Sequence, residues 1–214
     1  MAEVATETQL EEFVAACRQV GAYGLVRCSS GNLSLRLDGE HMLVSGTQTW
    51  LSTITADRVS LCRIADGTPV NGIKPSVESR FHAGILQRRG DVNCVLHFQS
   101  PAATTLCCIP EDRRPEVSLI IEMPFYVGPV ASVPFLMPGS QELADGVIEA
   151  LTKQDMAMLA NHGLVTVGKD PADVIQRAVF FELACDLALR AGGDAVAIPS
   201  ADADRLRSVY QGVK

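Results

Sequence analysis

The segment LSLRLDGEHMLVS, residues 33–45, decides the architecture. Apolar and polar side chains alternate through Leu33–Leu37, an apolar run Met42-Leu43-Val44 lies within His41–Ser45, and Asp38-Gly39 stands between the two segments. Alternation puts successive side chains on opposite faces of an extended strand, and an Asp-Gly pair between such runs signals a hairpin. The segment is therefore read as two antiparallel strands, and Ser60–Ile64, closed by Asp66-Gly67, as a further one.

Toward the N-terminus, Thr8 and Glu11 stand at capping-box spacing, and Leu10, Phe13, Val14, Cys17 and Val20 recur at helical spacing. A helix is expected there, stopped by Gly21 and Gly24. Downstream, Ser76 is placed to cap a helix that carries Phe81, Ile85 and Leu86 and ends at Gly90. Asn93–Phe98 reads as a short buried strand, Pro101–Cys108 as a short helix, and Val117–Phe135, which mixes β-branched residues with Pro, as strands and loops. Gly139-Ser140 opens a helix to about Lys153. Met156–Ala160 and Leu164–Val167 are strands split by Asn161-His162-Gly163. Asp170-Pro171 caps and starts a long helix that Gly192-Gly193 ends, and a polar helix follows from about Ala201 to Tyr210. Helices interleaved with strands, several of them antiparallel, predict one domain over residues 1–214. Its expected form is α/β, three α/β/α layers around a central mixed, largely antiparallel sheet.

Composition narrows the function classes. Of 214 residues, 47% are hydrophobic and 20% charged, the balance of a globular protein with a substantial core. Lys and Arg total 18 against 25 Asp and Glu, a net charge of −7, which argues against a nucleic-acid or membrane-surface binder. Met1–Leu10 has neither a basic region nor an apolar run, so no signal peptide is expected, and the apolar stretches are far shorter than a membrane span. Cys17, Cys94, Cys107, Cys108 and Cys185 lie within apolar segments, and no C-x-x-C pair occurs. Buried reduced thiols in a cytoplasmic protein follow.

Four histidines occur. His41 lies on the hairpin among charged residues and reads as exposed; His82, inside a helix, reads as structural. His97 and His162 each sit at a strand-to-loop junction. Either is a half-buried core histidine or a metal ligand. His97 and Gln99 share one face of an extended segment, so an imidazole and an amide oxygen can converge on one ion. A third donor from His162 would leave a position open for substrate, as catalytic metal sites require. Gly31-Asn32, after Ser29-Ser30, is a turn or an anion cradle of backbone N–H groups, and Ser76 a simple cap or a phosphate contact.

Four local motifs in order resemble the class II aldolase/adducin-head family, over about Leu10 to Gly192. Gly31-Asn32-Leu33-Ser34 is similar to the family's G-N-x-S, and Lys74-Pro75-Ser76-Val77-Glu78 to its P-S-S-E segment. His97-Phe98-Gln99 stands where the family has H-x-H, and Asn161-His162-Gly163-Leu164 is similar to its H-G-L/I. The resemblance implies that His97, Gln99 and His162 ligate a metal and that Glu78 is the acid/base residue, suited to it if burial raises its pKa. It also implies that Asn32, Thr47 and Ser76 line the phosphate or carbonyl pocket. One divalent ion is implied, zinc first, with Mn2+, Mg2+ or Fe2+ admitted because the Gln99 amide replaces an imidazole; Glu78 can complete the coordination instead.

The family fold implies a homotetramer with active sites at subunit interfaces. Val77 replaces a serine, Gln48 departs from the usual Thr/Ser-Gly, and no tyrosine stands near Val117–Ile120, which leaves Tyr126 or Tyr210 as general acid. The implied activity is an aldolase that cleaves a ketose phosphate, of the fuculose-phosphate or 5-deoxypentulose-phosphate type, to dihydroxyacetone phosphate and an aldehyde through a metal-stabilised enediolate. An epimerase, decarboxylase or dehydratase of a related phosphate is the alternative. A non-catalytic module like the adducin head is the reading from another class.

Overall fold

A computed structural model describes the backbone of residues 5–213 and the side chains through residue 209. Seven strands form one mixed sheet in the order β3-β2-β1-β4-β7-β6-β5. They are β1 (Asn32–Arg36), β2 (His41–Ser45), β3 (Val59–Arg63), β4 (Cys94–Phe98), β5 (Ala131–Val133), β6 (Met156–Leu159) and β7 (Gly163–Gly168). Every neighbouring pair is antiparallel except β5 with β6. The hairpin expected around Asp38-Gly39 is β1–β2, with Leu35 opposite Leu43.

Strand alternation sorts the core into two layers. Leu33, Leu43, Leu96 and Phe98 face α1 (Glu7–Ala22), α3 (Pro101–Cys107) and α5 (Pro171–Ala191). Met42, Val44, Val95, Val165 and Val167 face α2 (Ser79–Arg88) and α4 (Gln141–Ala150). The predicted three-layer α/β fold is therefore observed. A sixth helix, α6 (Ser200–Val213), packs on a short π-helical turn at Met123–Val127.

Several local expectations shift. The capping box of α1 is Thr6 with Gln9, two residues before the expected Thr8 and Glu11, and the helix runs through Gly21 to Ala22. Thr6 wins because its Oγ and the Gln9 side chain satisfy each other's backbone N–H groups. Ser76 does not cap α2: the helix begins at Ser79 with Glu78 at the N-cap position, and the Ser76 Oγ accepts the Glu78 N–H at 3.3 Å. Residues 117–135 hold the π-helical turn and only the three-residue β5. All seven cysteines are free thiols; Cys108, expected inside, is exposed, as is Cys28. Tyr210 has its side chain outside the described residues.

Two features pin the loop after β4. The Glu182 carboxylate of α5 accepts hydrogen bonds from Ser100 Oγ at 2.6 Å and from the Ala102 and Ala103 N–H groups at 2.9 and 2.8 Å. It thus caps α3 from a neighbouring helix, where its charge meets the positive end of the helix dipole. Gln99 N–H donates to the Leu25 carbonyl at 3.0 Å.

Candidate metal centre

The ends of β1, β4 and β7 meet at one edge of the sheet. Asn32 lies opposite His97 in the β1–β4 ladder, and His97 lies opposite Val165 in the β4–β7 ladder. His162 occupies the tight turn from β6 to β7, made possible by Asn161 at φ 55°. Glu78 enters from the start of α2, which packs on the same face. Two glycines allow this convergence. A methyl group on Gly31 would stand 2.6 Å from the His97 carbonyl oxygen, and one on Gly163 would stand 2.7 Å from both the Phe98 carbonyl oxygen and Gln99 Cγ. Close approach of backbones is the reason for glycine in both motifs.

The result is a compact donor set. The ligand atoms of Glu78, His97 and His162 lie within 4.8 Å of one another. His162 Nε2 is 3.4 Å from Glu78 Oε1, and His97 Nε2 is 3.6 Å from Glu78 Oε2. Ligands about 2.1 Å from a tetrahedral ion sit about 3.4 Å apart. The His97 Nδ1–H donates to the Leu164 carbonyl at 2.8 Å, which turns the Nε2 lone pair toward Glu78. Two electron pairs facing each other in a buried place call for a cation or a proton between them. Glu78 Oε1 and His162 Nδ1 are buried without hydrogen-bond partners among the described residues. The residues present therefore fit a divalent ion.

Of the residues singled out in the sequence, Asn32, Thr47, Ser76, Glu78, His97, Gln99 and His162 all line one cavity of about 340 Å³. The amide nitrogen of Gln99 stands 3.3 Å from His97 Nε2, so its oxygen faces an ion only with the amide turned over. Glu78 is the third donor of the compact set. Tyr126 is not brought to this cavity. It stacks on Phe180 with ring centroids 5.0 Å apart and lines a second cavity with Asp155, which precedes β6, whereas His162 follows that strand. The whole length of β6 separates them. Among the described residues no Lys or Arg lines this cavity; Ser29, Ser30, Thr47, Thr49 and Ser76 do.

The electrostatics correct one expectation. Burial pushes the Glu78 carboxyl up, but the His97 ring, the Asn32 hydrogen bond, His162 and His82 outweigh it and hold it below its ordinary value. Glu78 is thus a carboxylate at neutral pH rather than an acid poised near neutrality. Burial, with a contribution from His97, lowers His82 to about 3 against a smaller upward pull from Glu78. Burial likewise lowers His162.

A pH dependence follows. An unfolded histidine takes up a proton near pH 6.5. Below that pH the unfolded chain binds protons that folded His82 refuses, so stability falls as pH drops from about 6.5 toward 3. Depressed Glu78 acts in the same direction below its ordinary value. Urea unfolding of the metal-free protein is expected to vary little between about pH 7 and 8 and to weaken below 6.5, by up to about 1.4 kcal/mol per pH unit for each excluded proton; above about pH 8.5 it should weaken again, because burial raises the thiols of Cys17, Cys94, Cys107 and Cys185 and the unfolded chain ionises first. His82→Gln should reduce that slope. A stability unchanged between pH 6.5 and 4 contradicts a neutral buried His82.

Seven strands, helices on both faces and a Glu/His/His centre at the strand ends define a class II aldolase-type protein. The chain belongs to the family described as Class II Aldolase and Adducin N-terminal domain, whose sequence profile matches residues 11–189. It is 31% identical over 147 residues to the 3-oxo-tetronate 4-phosphate decarboxylase of Haemophilus influenzae, covering 67% of this chain and 69% of that protein. It is 30% identical over 164 residues to the L-fuculose phosphate aldolase of Methanococcus maripaludis, covering 75% and 85%. The crystal structure of YgbL from Klebsiella pneumoniae, described as a candidate aldolase/epimerase/decarboxylase, superposes with a TM-score of 0.87 at 26% identity, covering 95% of this chain and all of that one.

His82 is the site component that the sequence reading passed over. It was read as structural, yet it hydrogen-bonds Asn32 and Ser34. Its position four residues after Glu78, on the same side of a helix, is the signal that could have found it.

Proposed function

We propose that this chain is a metal-dependent lyase that breaks a carbon–carbon bond beside the carbonyl of a small phosphorylated ketose, giving dihydroxyacetone phosphate and an aldehyde. The observation that carries this reading is the convergence of Glu78, His97 and His162 within 4.8 Å at the floor of a hydroxyl-lined cavity. These three residues would hold one divalent ion, zinc suiting two imidazoles and a carboxylate, with Gln99 beside them as a further oxygen donor. When bound, the ion supplies Lewis-acid stabilisation for the negative charge that develops on the substrate's oxygens.

The chain's own residues do the rest. Glu78, already anionic, accepts the proton of the hydroxyl on the far carbon of the breaking bond. The bonding electrons pass to the carbonyl side, and the proton is returned to carbon. Asn32 keeps Glu78 Oε2 occupied at 2.8 Å, so Oε1 is the oxygen left for this exchange. The hydroxyls of Ser29, Ser30, Thr47 and Ser76 and nearby backbone N–H groups serve the phosphate in place of Lys or Arg. A homotetramer with shared sites belongs to the same reading and would let a neighbour supply the general acid that Tyr126 does not supply within its own chain.

A second reading, decarboxylation of a phosphorylated 3-oxo acid, has one specific observation in its favour. Among the described residues, Glu78 is the single carboxylate lining the cavity, and no phenol lines it. Loss of carbon dioxide needs a proton delivered to carbon and none removed from a hydroxyl. The test is a paired assay on protein reconstituted with Zn2+, Mn2+, Mg2+ or Fe2+. Dihydroxyacetone phosphate release from a panel of ketose 1-phosphates is expected. Carbon dioxide release from 3-oxo-tetronate 4-phosphate, without ketose cleavage, would shift the assignment to the second reading. No bound ion and no turnover would leave a binding module like the adducin head.

A further inference from the structure

We propose that His82 is a positioning residue of this site: through Asn32 it fixes one oxygen of Glu78 and presents the other to the gap between His97 and His162. The inference rests on the role given to Glu78 above, and it adds a residue that touches neither ion nor substrate.

The juxtaposition comes from two periodicities. Asn32 and Ser34 are two residues apart on β1 and point to one face of the sheet, while Glu78, at the N-cap position of α2, stands four residues before His82 in that helix. The two pairs stack into a chain of hydrogen bonds. Asn32 Nδ2 is 2.8 Å from Glu78 Oε2, His82 Nε2 is 2.5 Å from Asn32 Oδ1, and Ser34 Oγ is 2.7 Å from His82 Nδ1. All four side chains are buried, His82 and Ser34 at 0% exposure.

Chemistry fixes the direction of this chain. A carboxylate only accepts, so Asn32 must turn its amide nitrogen to Glu78 and its oxygen to His82. His82 must then carry its proton on Nε2 and accept from the Ser34 hydroxyl at Nδ1. His97 is the opposite case, with the proton on Nδ1 and the lone pair on Nε2. Without the His82 donor, the Asn32 amide is held only from the Glu78 side, and its buried Oδ1 is left without the partner that fixes its orientation. Glu78 Oε2 would then rest on a less firmly held partner while Oε1 already has none. A buried network broken at one link leaves its other members unsatisfied, so the effect reaches the site rather than staying at residue 82.

Three measurements test this. Nitrogen-15 NMR of the metal-free protein, with the signal assigned by its loss in His82→Gln, should find His82 protonated on Nε2; protonation on Nδ1 overturns the inference. Co2+ then serves as a spectroscopic probe of the site. His82→Phe, which fills the volume and donates nothing, should bind Co2+ about 10–100-fold more weakly, with an altered visible band and a lower kcat at little changed KM. His82→Gln, whose amide N–H can stand where Nε2 was, should recover Co2+ affinity to within about threefold of wild type.

A folded His82→Phe protein with wild-type Co2+ affinity and spectrum, or a glutamine variant no better than the phenylalanine one, overturns the inference. Should the phenylalanine variant fail to fold, Ser34→Ala carries the comparison, because it removes the hydroxyl that holds Nδ1; wild-type Co2+ binding there overturns the inference equally. Wild-type protein that binds no Co2+ sinks the functional reading instead, and the tautomer of His82 then decides the network on its own.

Discussion

Glu78→Gln is expected to lower turnover about a thousandfold or more, even at saturating metal. General acid–base groups contribute about 10²–10⁴ in rate, and Glu78 is the single carboxylate among the described residues that line the cavity. Glutamine preserves shape. It can still accept the Asn32 N–H, but it then turns an NH2 group toward the gap where Oε1 faced His162 Nε2 at 3.4 Å. Metal affinity should therefore fall while His97 and His162 still bind. The two roles proposed for Glu78 separate in a metal titration. If Glu78 is only a ligand, excess metal restores kcat; if it also moves the proton, kcat stays low while bound metal returns to about one ion per chain. Wild-type turnover in the glutamine variant removes Glu78 from the mechanism.

His162→Ala should cost the site its ion with little cost to the fold. Binding energies of about 10–16 kcal/mol for four-ligand zinc sites imply about 3 kcal/mol per ligand, so affinity should drop at least a hundredfold and activity with it. The variant is cleaner than His97→Ala. His162 is half-buried, and its Nδ1 has no hydrogen-bond partner. His97 is buried and holds the Leu164 carbonyl, so its removal also leaves an unsatisfied acceptor, at about 1–3 kcal/mol. Metal analysis after gel filtration, paired with a thermal melt, reads both effects. An alanine variant that retains one tightly bound ion places the metal elsewhere.

Much of the fold was legible because its determinants are local. Asp38-Gly39 forces a hairpin, and the apolar run Met42-Leu43-Val44 marks a strand buried on both faces, with Leu43 in one layer and Met42 and Val44 in the other. Residues 117–135 were not legible: prolines and β-branched residues there suggest extended chain, whereas packing against α5 and α6 winds Met123–Val127 into a π-helical turn. Tyr126 lies away from the site cavity of its own chain for the same reason, since the direction of a side chain on such a turn is set by the Phe180 ring beneath it.

The members of the site cavity were legible from motif order, but the electrostatic balance was not. Burial of Glu78 was foreseen and its upward push on the carboxyl is present; the opposing effects of His97, Asn32, His162 and His82 exist only once four distant segments meet. His82 escaped notice because its partners, at 32 and 34, are some fifty residues away in the chain.

The Glu78, His97 and His162 donors come from a helix start, a strand end and a turn, tied together by the pairing of β1, β4 and β7. If β4 slid by one residue against its neighbours, His97 would swing to the side now occupied by Leu96 and Phe98. The imidazole would then be sealed in the opposite apolar layer. Cation capture at the proposed site would thus be a proofreading signal: only molecules whose central strands have aligned correctly, with α2 seated on them, could report it.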